Sequence, residues 1–276
     1  MLPRADMFKE VIFVPRLIVF NESFVPVSKY AKTAKPLAII WHEGISGRNK
    51  EDLISTFYAF FLQNRDVHNI TIWLDNCAAQ NKNWALFCFF IYMVNCTEAE
   101  LENLDLKYFQ PGHTFMSSDS FHHQVELSLK KQGKVFDFND FKCAVEKANS
   151  SRVNVKEMGI QNFFEWKDVS SKFKLQKIIP KPYLQNMVHV NFRRGENVLY
   201  YKNTFSDEFT LLNFLTAKFY KEGISKPDCK TDCRGISAER KSTLISKLRP
   251  IIPENRMNFW EELNITKSNM DLDINL

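Results

Sequence analysis

Residues 70–83 hold the types and spacing most suited to chemistry. The apolar run Ile70-Thr71-Ile72-Trp73-Leu74 stops at Asp75. The segment Asn76-Cys77-Ala78-Ala79-Gln80-Asn81-Lys82-Asn83 follows, and a second apolar run opens at Trp84. The pattern is that of a buried strand ending in a carboxylate, and ligands collect beyond the carboxyl ends of strands in open α/β sheets. A carboxylate there can meet a divalent ion; magnesium takes one or two carboxylates together with waters and substrate phosphates. Gln80, Asn81 and Lys82 supply donors and acceptors that could contact a phosphate backbone or orient Asp75. The competing reading is local. Asp75 would cap the following turn, worth about 1 kcal/mol, and Asn83 would cap the helix opening at Trp84.

A second group lies at Asp119, His122, His123 and Glu126. Their offsets of three, four and seven residues place them on one helical face. Asp119 and Glu126 stand about 10 Å apart along the helix axis, too far to share one ion. Either could pair with Asp75, and two metals about 4 Å apart would then support phosphoryl transfer. Asp75 and Asp119 are the candidate metal ligands, and Glu126 is the alternative last acid. Gln80, Asn81, Lys82, His113, His122, Lys130 and Lys131 are the candidate contacts to a nucleic acid. Against this, Ser118-Asp119-Ser120 is a natural helix start, and the two histidines fit a solvated surface. Glu43, in Trp41-His42-Glu43-Gly44, ends another strand and reads as a turn residue that could face the same rim.

Other chemistries lose support. There is no Gly-x-Ser-x-Gly, no phosphate-loop signature and no Gly-x-Gly-x-x-Gly. Cys77 has no paired base in sequence, so it is an unsupported nucleophile. Cys229 and Cys233 form a spaced pair, but no second Cys/His pair follows to complete a zinc site.

The elements needed to position these residues are legible in part. Residues 11–14 and 17–24 read as two strands or a hairpin, 29–36 as a polar turn and 37–41 as a further strand. Asn49, with Glu51 and Asp52 behind it, opens a helix. Strands follow at 70–74 and 104–109, and helices at 83–94 and 119–131. Beyond residue 150 the signal weakens. Residues 163–174 and 209–220 look helical, 187–201 reads as a hairpin, 223–236 as a linker and 240–248 as a helix. This order predicts an α/β chain with a mixed sheet flanked by helices. The RNase H-like fold is one architecture with that order. The expected division is a core over 1–150, an α+β extension over 151–222 and a linker with a helical segment over 223–276.

The composition is that of a globular chain, with 276 residues, 45% hydrophobic and 25% charged. Charge is uneven. Residues 1–126 carry 11 basic and 14 acidic side chains, net −3, whereas 127–181 carry 12 and 6, net +6. An acidic half followed by a basic belt suits a metal-holding pocket beside a polyanion-binding face; a solvated lysine-rich surface gives the same count. Residues 1–10 show no secretory h-region, and the longest apolar run, 84–94, is too short to span a bilayer. The expectation is a nuclear or cytoplasmic chain that is not secreted and has no membrane partner.

Three blocks resemble a family: Trp41-His42-Glu43-Gly44-Ile45-Ser46-Gly47-Arg48, Asp75-Asn76-Cys77-Ala78-Ala79-Gln80-Asn81-Lys82-Asn83 and Gly112-His113-Thr114-Phe115-Met116-Ser117-Ser118-Asp119. The likeness covers roughly residues 1–220. It is to an uncharacterised animal family common in transposon-derived reading frames that carries a domain of unknown function. The resemblance implies an RNase H-like core with a transposase or integrase type of acidic site, magnesium as cofactor and DNA as partner, with a homo-oligomer compatible. In that picture Asp75 is the middle acid and Asp119 or Glu126 the last. One departure matters. In the family the first acid precedes a Leu-Pro pair, and here Leu2-Pro3 stands at the start, so the first strand is expected to be truncated and the first acid missing. The expected protein is therefore a transposon-derived relative of metal-dependent DNA-strand transferases that is catalytically inactive and holds magnesium weakly. The alternative is a non-catalytic nucleic-acid-binding or protein-interaction module.

Overall fold

A computed structural model of the chain describes residues 1–4, 16–109 and 116–266. The expected strand at 11–14 and the candidate His113 lie outside the described residues. Along the chain come β1 (Val19–Phe24), β2 (Leu37–His42), α1 (Lys50–Gln63), β3 (Asn69–Leu74), α2 (Ala78–Asn81), α3 (Trp84–Asn95) and β4 (Asn103–Tyr108). Then follow α4 (Ser117–Gln132), α5 (Phe138–Ser151), β5 (Asn154–Glu157), α6 (Trp166–Phe173), β6 (His189–Arg193), β7 (Leu199–Lys202) and β8 (Thr210–Leu212). The last helices are α7 (Ala217–Glu222), α8 (Ala238–Leu248) and α9 (Asn258–Glu261). The architecture is α/β with mixed sheets, as the order of strand and helix signals predicts.

The chain forms two compact units that interleave along the sequence. Unit 1 comprises Met1–Arg48, Met116–Phe163 and Lys230–Leu276; unit 2 comprises Asn49–Phe115 and Phe164–Cys229. The strands expected to share one sheet are therefore divided between two. Periodicity reports which face of a segment is apolar, and it does not report which other segment covers that face.

In unit 1, β1 pairs antiparallel with β2, and β2 pairs parallel with β5. Leu17, Ala38 and Ile40 meet Phe121, Val125 and Leu129 of α4, Val145 of α5 and Leu244 and Leu248 of α8 in one core. These α4 positions recur at four-residue spacing, so a single apolar stripe faces inward and the charged side chains face water. Gly133, at φ +77°, ends α4 in a conformation that glycine adopts freely. The helix α5 has no counterpart in the sequence-based division. Its regular part ends before Ala148, which is extended, and Asn149, Ser150 and Ser151 follow with φ of 49°, 55° and 61°. Three successive left-handed residues reverse the chain and set Arg152 just before β5.

Glu43 is buried in unit 1. Its carboxylate accepts from both terminal nitrogens of Arg240, at 2.6 and 3.0 Å, and from the backbone N–H of Ile18 at 2.7 Å. The strand-end turn read from the sequence thus holds an ion pair to a helix 197 positions away. His42, beside it, lies between the rings of Phe138 and Phe259. Burial holds its imidazole down at about 4.

Unit 2 carries a five-stranded sheet in the order β3-β4-β6-β7-β8. The pair β3–β4 is parallel, and each later pair is antiparallel. Strand register sorts its side chains cleanly. Ile70, Leu104 and Phe192 form one row, and Ile72, Leu106 and Val190 the next on the same face. Phe87 and Phe90 of α3 pack on Phe192 with ring centroids 5.9 and 5.5 Å away. The opposite face carries the rows Trp73-Lys107-His189-Lys202 and Thr71-Asp105-Asn191-Tyr200. Two sequence expectations shift here. The run at 70–74 is an edge strand, half-open along its length, because the sheet ends at β3. Residues 209–220 form β8, a turn and the short α7 instead of one helix; Thr210-Leu211-Leu212 finds a strand partner in β7, and tertiary pairing overrides weak helical periodicity.

Candidate nucleic-acid interface

Asp75 stands one residue past β3, as its place after an apolar run predicts. Its Oδ1 accepts from the backbone N–H of Cys77 at 3.1 Å and from the side-chain amide of Asn81 at 2.5 Å. The same amide reaches the Asp75 carbonyl at 3.4 Å. Tyr108, from the end of β4, donates its hydroxyl to the Asn81 carbonyl at 2.8 Å. Asn83 caps α3, accepting from the Leu86 N–H at 3.0 Å and donating to the Gln80 carbonyl at 2.8 Å. The block 75–83 is a closed knot of local bonds because Asp and Asn side chains satisfy the orphan backbone groups between a strand and a helix. Of the candidate contacts there, Gln80 is half-buried and the Asn81 amide is engaged by Asp75.

Lys82 turns inward. Its side chain is buried, its ammonium donates to the Gln185 carbonyl at 2.9 Å, and it lies 4.5 Å from the Tyr108 ring centroid. No carboxylate offsets its charge among the described residues, and burial holds its pKa down at about 8. Burial also pushes the Tyr108 phenol up.

The remaining acids belong to unit 1, and Asp75 to unit 2. Asp119 accepts from the Met116 N–H at 2.7 Å and caps α4. Glu126 pairs with Arg4 at 2.7 Å. His122 is exposed, with Nε2 3.1 Å from the Ser23 hydroxyl. Each acid thus serves local structure. Asp75 Oδ1 accepts from two N–H donors, which holds that oxygen in the turn. Among the described residues no three His, Cys, Asp or Glu side chains gather into a metal-holding group. With Asp75 and Asp119 engaged in caps and Glu126 in an ion pair, no reaction step is assigned to a magnesium centre.

The cations of unit 1 are arranged differently. Lys130, Lys131, Lys134 and Lys147 are exposed on or beside α4 and α5, and Lys142 pairs with Glu157 at 3.0 Å. A second set escapes the sequence reading. The 3-10 turn over Ser28–Lys32 exposes Lys29 and Lys32, and Lys35 follows. Arg152, delivered by the left-handed bend, donates to the Lys32 carbonyl at 2.6 Å. Tyr30 is 58% exposed, with the Lys29 ammonium 5.1 Å from its ring centroid. Among the described residues none of these four cations forms an ion pair with a carboxylate. Three lysines within seven residues are the signal that sequence offers; Arg152, 120 positions from Lys32, offers none.

The family described as a domain of unknown function (DUF7869) matches residues 52–207, which is 156 of the 276 positions. No curated protein and no solved structure matches the chain. Within the matched span lie the Asp75 knot, the five-stranded sheet up to β7 and the α4–α5 lysines. Among the described residues no helix is long and apolar enough to cross a membrane.

Proposed function

We propose that this chain, which belongs to the family of that domain of unknown function, is a nucleic-acid-binding module of transposon origin. It keeps the acids of a metal-dependent strand transferase as structural elements and performs no phosphodiester chemistry. One observation carries the reading. Lys29, Lys32 and Lys35 are exposed on one short stretch beside the exposed Tyr30, and the exposed Arg152 bonds to that stretch at the Lys32 carbonyl, with no carboxylate among the described residues paired to these four cations. Like charges brought together at a surface cost free energy unless a polyanion relieves them, and phosphates do so while releasing condensed counterions. The position of Asp75, Asp119 and Glu126 in caps and an ion pair supports the non-catalytic half of the reading.

The test is a salt titration of the full chain on a fluorescent mixed-sequence DNA duplex. The reading expects log affinity to fall linearly with log salt. Changing Lys29, Lys32, Lys35 and Arg152 together to glutamine should reduce the slope by up to about 3.6, at about 0.9 for each phosphate that the four side chains neutralise. A slope unchanged by the four substitutions would refute the cluster as the interface. Duplex cleavage with magnesium or manganese that disappears in Asp75→Ala would refute the absence of catalysis.

A further inference from the structure

The face of the unit 2 sheet opposite α3, open at Thr71 and Trp73 and closed over Asn191, has the chemistry of a second, different interface. The rows Trp73-Lys107-His189-Lys202 and Thr71-Asp105-Asn191-Tyr200 lie on the face opposite the one that α3 covers. Trp73 is 39% exposed and Phe205, in the loop after β7, is 46% exposed, their ring centroids 6.3 Å apart. Cations interleave with the aromatics. Lys107 lies 5.6 Å from the Trp73 ring, Arg193 4.2 Å from Tyr200 and Lys202 4.5 Å from Phe209. The single carboxylate in the two rows, Asp105, is already engaged by His189 at 2.6 Å and by Asn191 at 3.1 Å.

We infer that this face binds single-stranded nucleic acid. Bases stack on Trp73 and Phe205, and Lys107, Lys202 and Arg193 meet the phosphates. The inference rests on the nucleic-acid reading above and adds the form of the strand and a separate site for it. Charge complementarity chooses the occupant. The acids beside the three cations are already engaged, Asp105 by His189 and Asn191, Glu196 by the Tyr200 hydroxyl and Asp207 by Thr204, so the cations remain for an anion, and flat aromatic side chains between them suit planar bases. In a duplex the faces of the bases are stacked on one another and closed to these rings. An apolar protein partner would meet three cations in the middle of its contact and would have to desolvate them.

Fluorescence anisotropy of the full chain with labelled oligothymidine, and in parallel with the mixed-sequence duplex, tests this. Trp73→Ala combined with Phe205→Ala should weaken oligothymidine binding by about tenfold or more and leave duplex affinity nearly unchanged. Trp73→Phe should restore most of the loss at that position. Lys107→Gln with Lys202→Gln, both half-buried, should lower the salt slope for the single strand by about 1.4. Wild-type protein that binds duplex but not oligothymidine would overturn the inference and leave the parent reading standing. So would undiminished oligothymidine binding by the aromatic variant, which would place the strand on another surface. Failure on both probes would refute the parent reading with it.

Discussion

The carboxylate of Asp75 follows a strand, a place compatible with a cation, yet two N–H donors meet its Oδ1 and the structure contains a capped turn instead. Asp75→Ala should therefore cost about 1 kcal/mol of stability, the usual worth of such a cap, measurable by urea unfolding; a loss of nucleic-acid affinity without that cost would contradict the assignment. Lys82 reads as a phosphate contact because it follows Gln80-Asn81, and nothing in sequence reveals that its ammonium ends over the Tyr108 ring. Its folded pKa of about 8 lies below the ordinary lysine value of 10.5, so between these pH values the unfolded chain binds more protons. Stability relative to Lys82→Met should rise as pH increases from 8 toward 10.5. A difference that stays flat with pH would refute the buried ammonium. His42 gives a second case. Its folded pKa of about 4 lies below the ordinary 6.5, so its contribution is fully present above pH 6.5 and is lost as the pH falls toward 4. His42→Phe should flatten acid unfolding over that range, and an unchanged acid profile would count against it.

At the scale of elements the sequence is most legible where one local rule suffices. Asn49 caps α1, with Asp52 accepting from its N–H at 2.8 Å, and Asn83 caps α3. The alternation of Leu104, Leu106 and Tyr108 marks β4, and its buried face follows directly. Legibility fails where an element depends on a distant partner. The sequence-based division leaves α5 unassigned because its apolar stripe is completed by α4. The run at 70–74 resembles a buried strand because hydrophobicity does not reveal which strand ends a sheet. The Glu43–Arg240 pair belongs to this scale, since it ties the end of β2 to α8. Removing one partner leaves a buried charge unpaired, so Arg240→Met should destabilise by about 3 kcal/mol or more, read from the denaturation midpoint. Glu43→Gln with Arg240→Met should recover part of that loss, and equal damage in the single and double variants would deny the pairing.

For the whole molecule the main finding is interleaving. The weaker signal past 150 and the linker read at 223–236 suggest boundaries there. The compact units instead exchange the chain at 48/49, 115/116, 163/164 and 229/230. Unit 1 therefore needs its last segment, in which Leu244, Leu248 and Trp260 are fully buried. A chain ending at 222 should lose the cooperative unfolding of unit 1, seen as rapid proteolysis within residues 116–163, and resistance there equal to the full chain would contradict the division. The candidate interfaces are partly legible for the same reason. The lysine content of 127–181 and of 29–35 is visible in sequence, while the approach of Arg152 to Lys32 and the alignment of Trp73, Lys107, His189 and Lys202 arise only from the fold.

Binding without metal chemistry can be judged from a single titration series: labelled duplex against wild-type protein and against Asp75→Ala, each in chelator and in magnesium. Affinities should agree across all four titrations, with the duplex left whole in each. Binding that requires both magnesium and Asp75, or a nicked duplex that appears only when both are present, would overturn the non-catalytic reading.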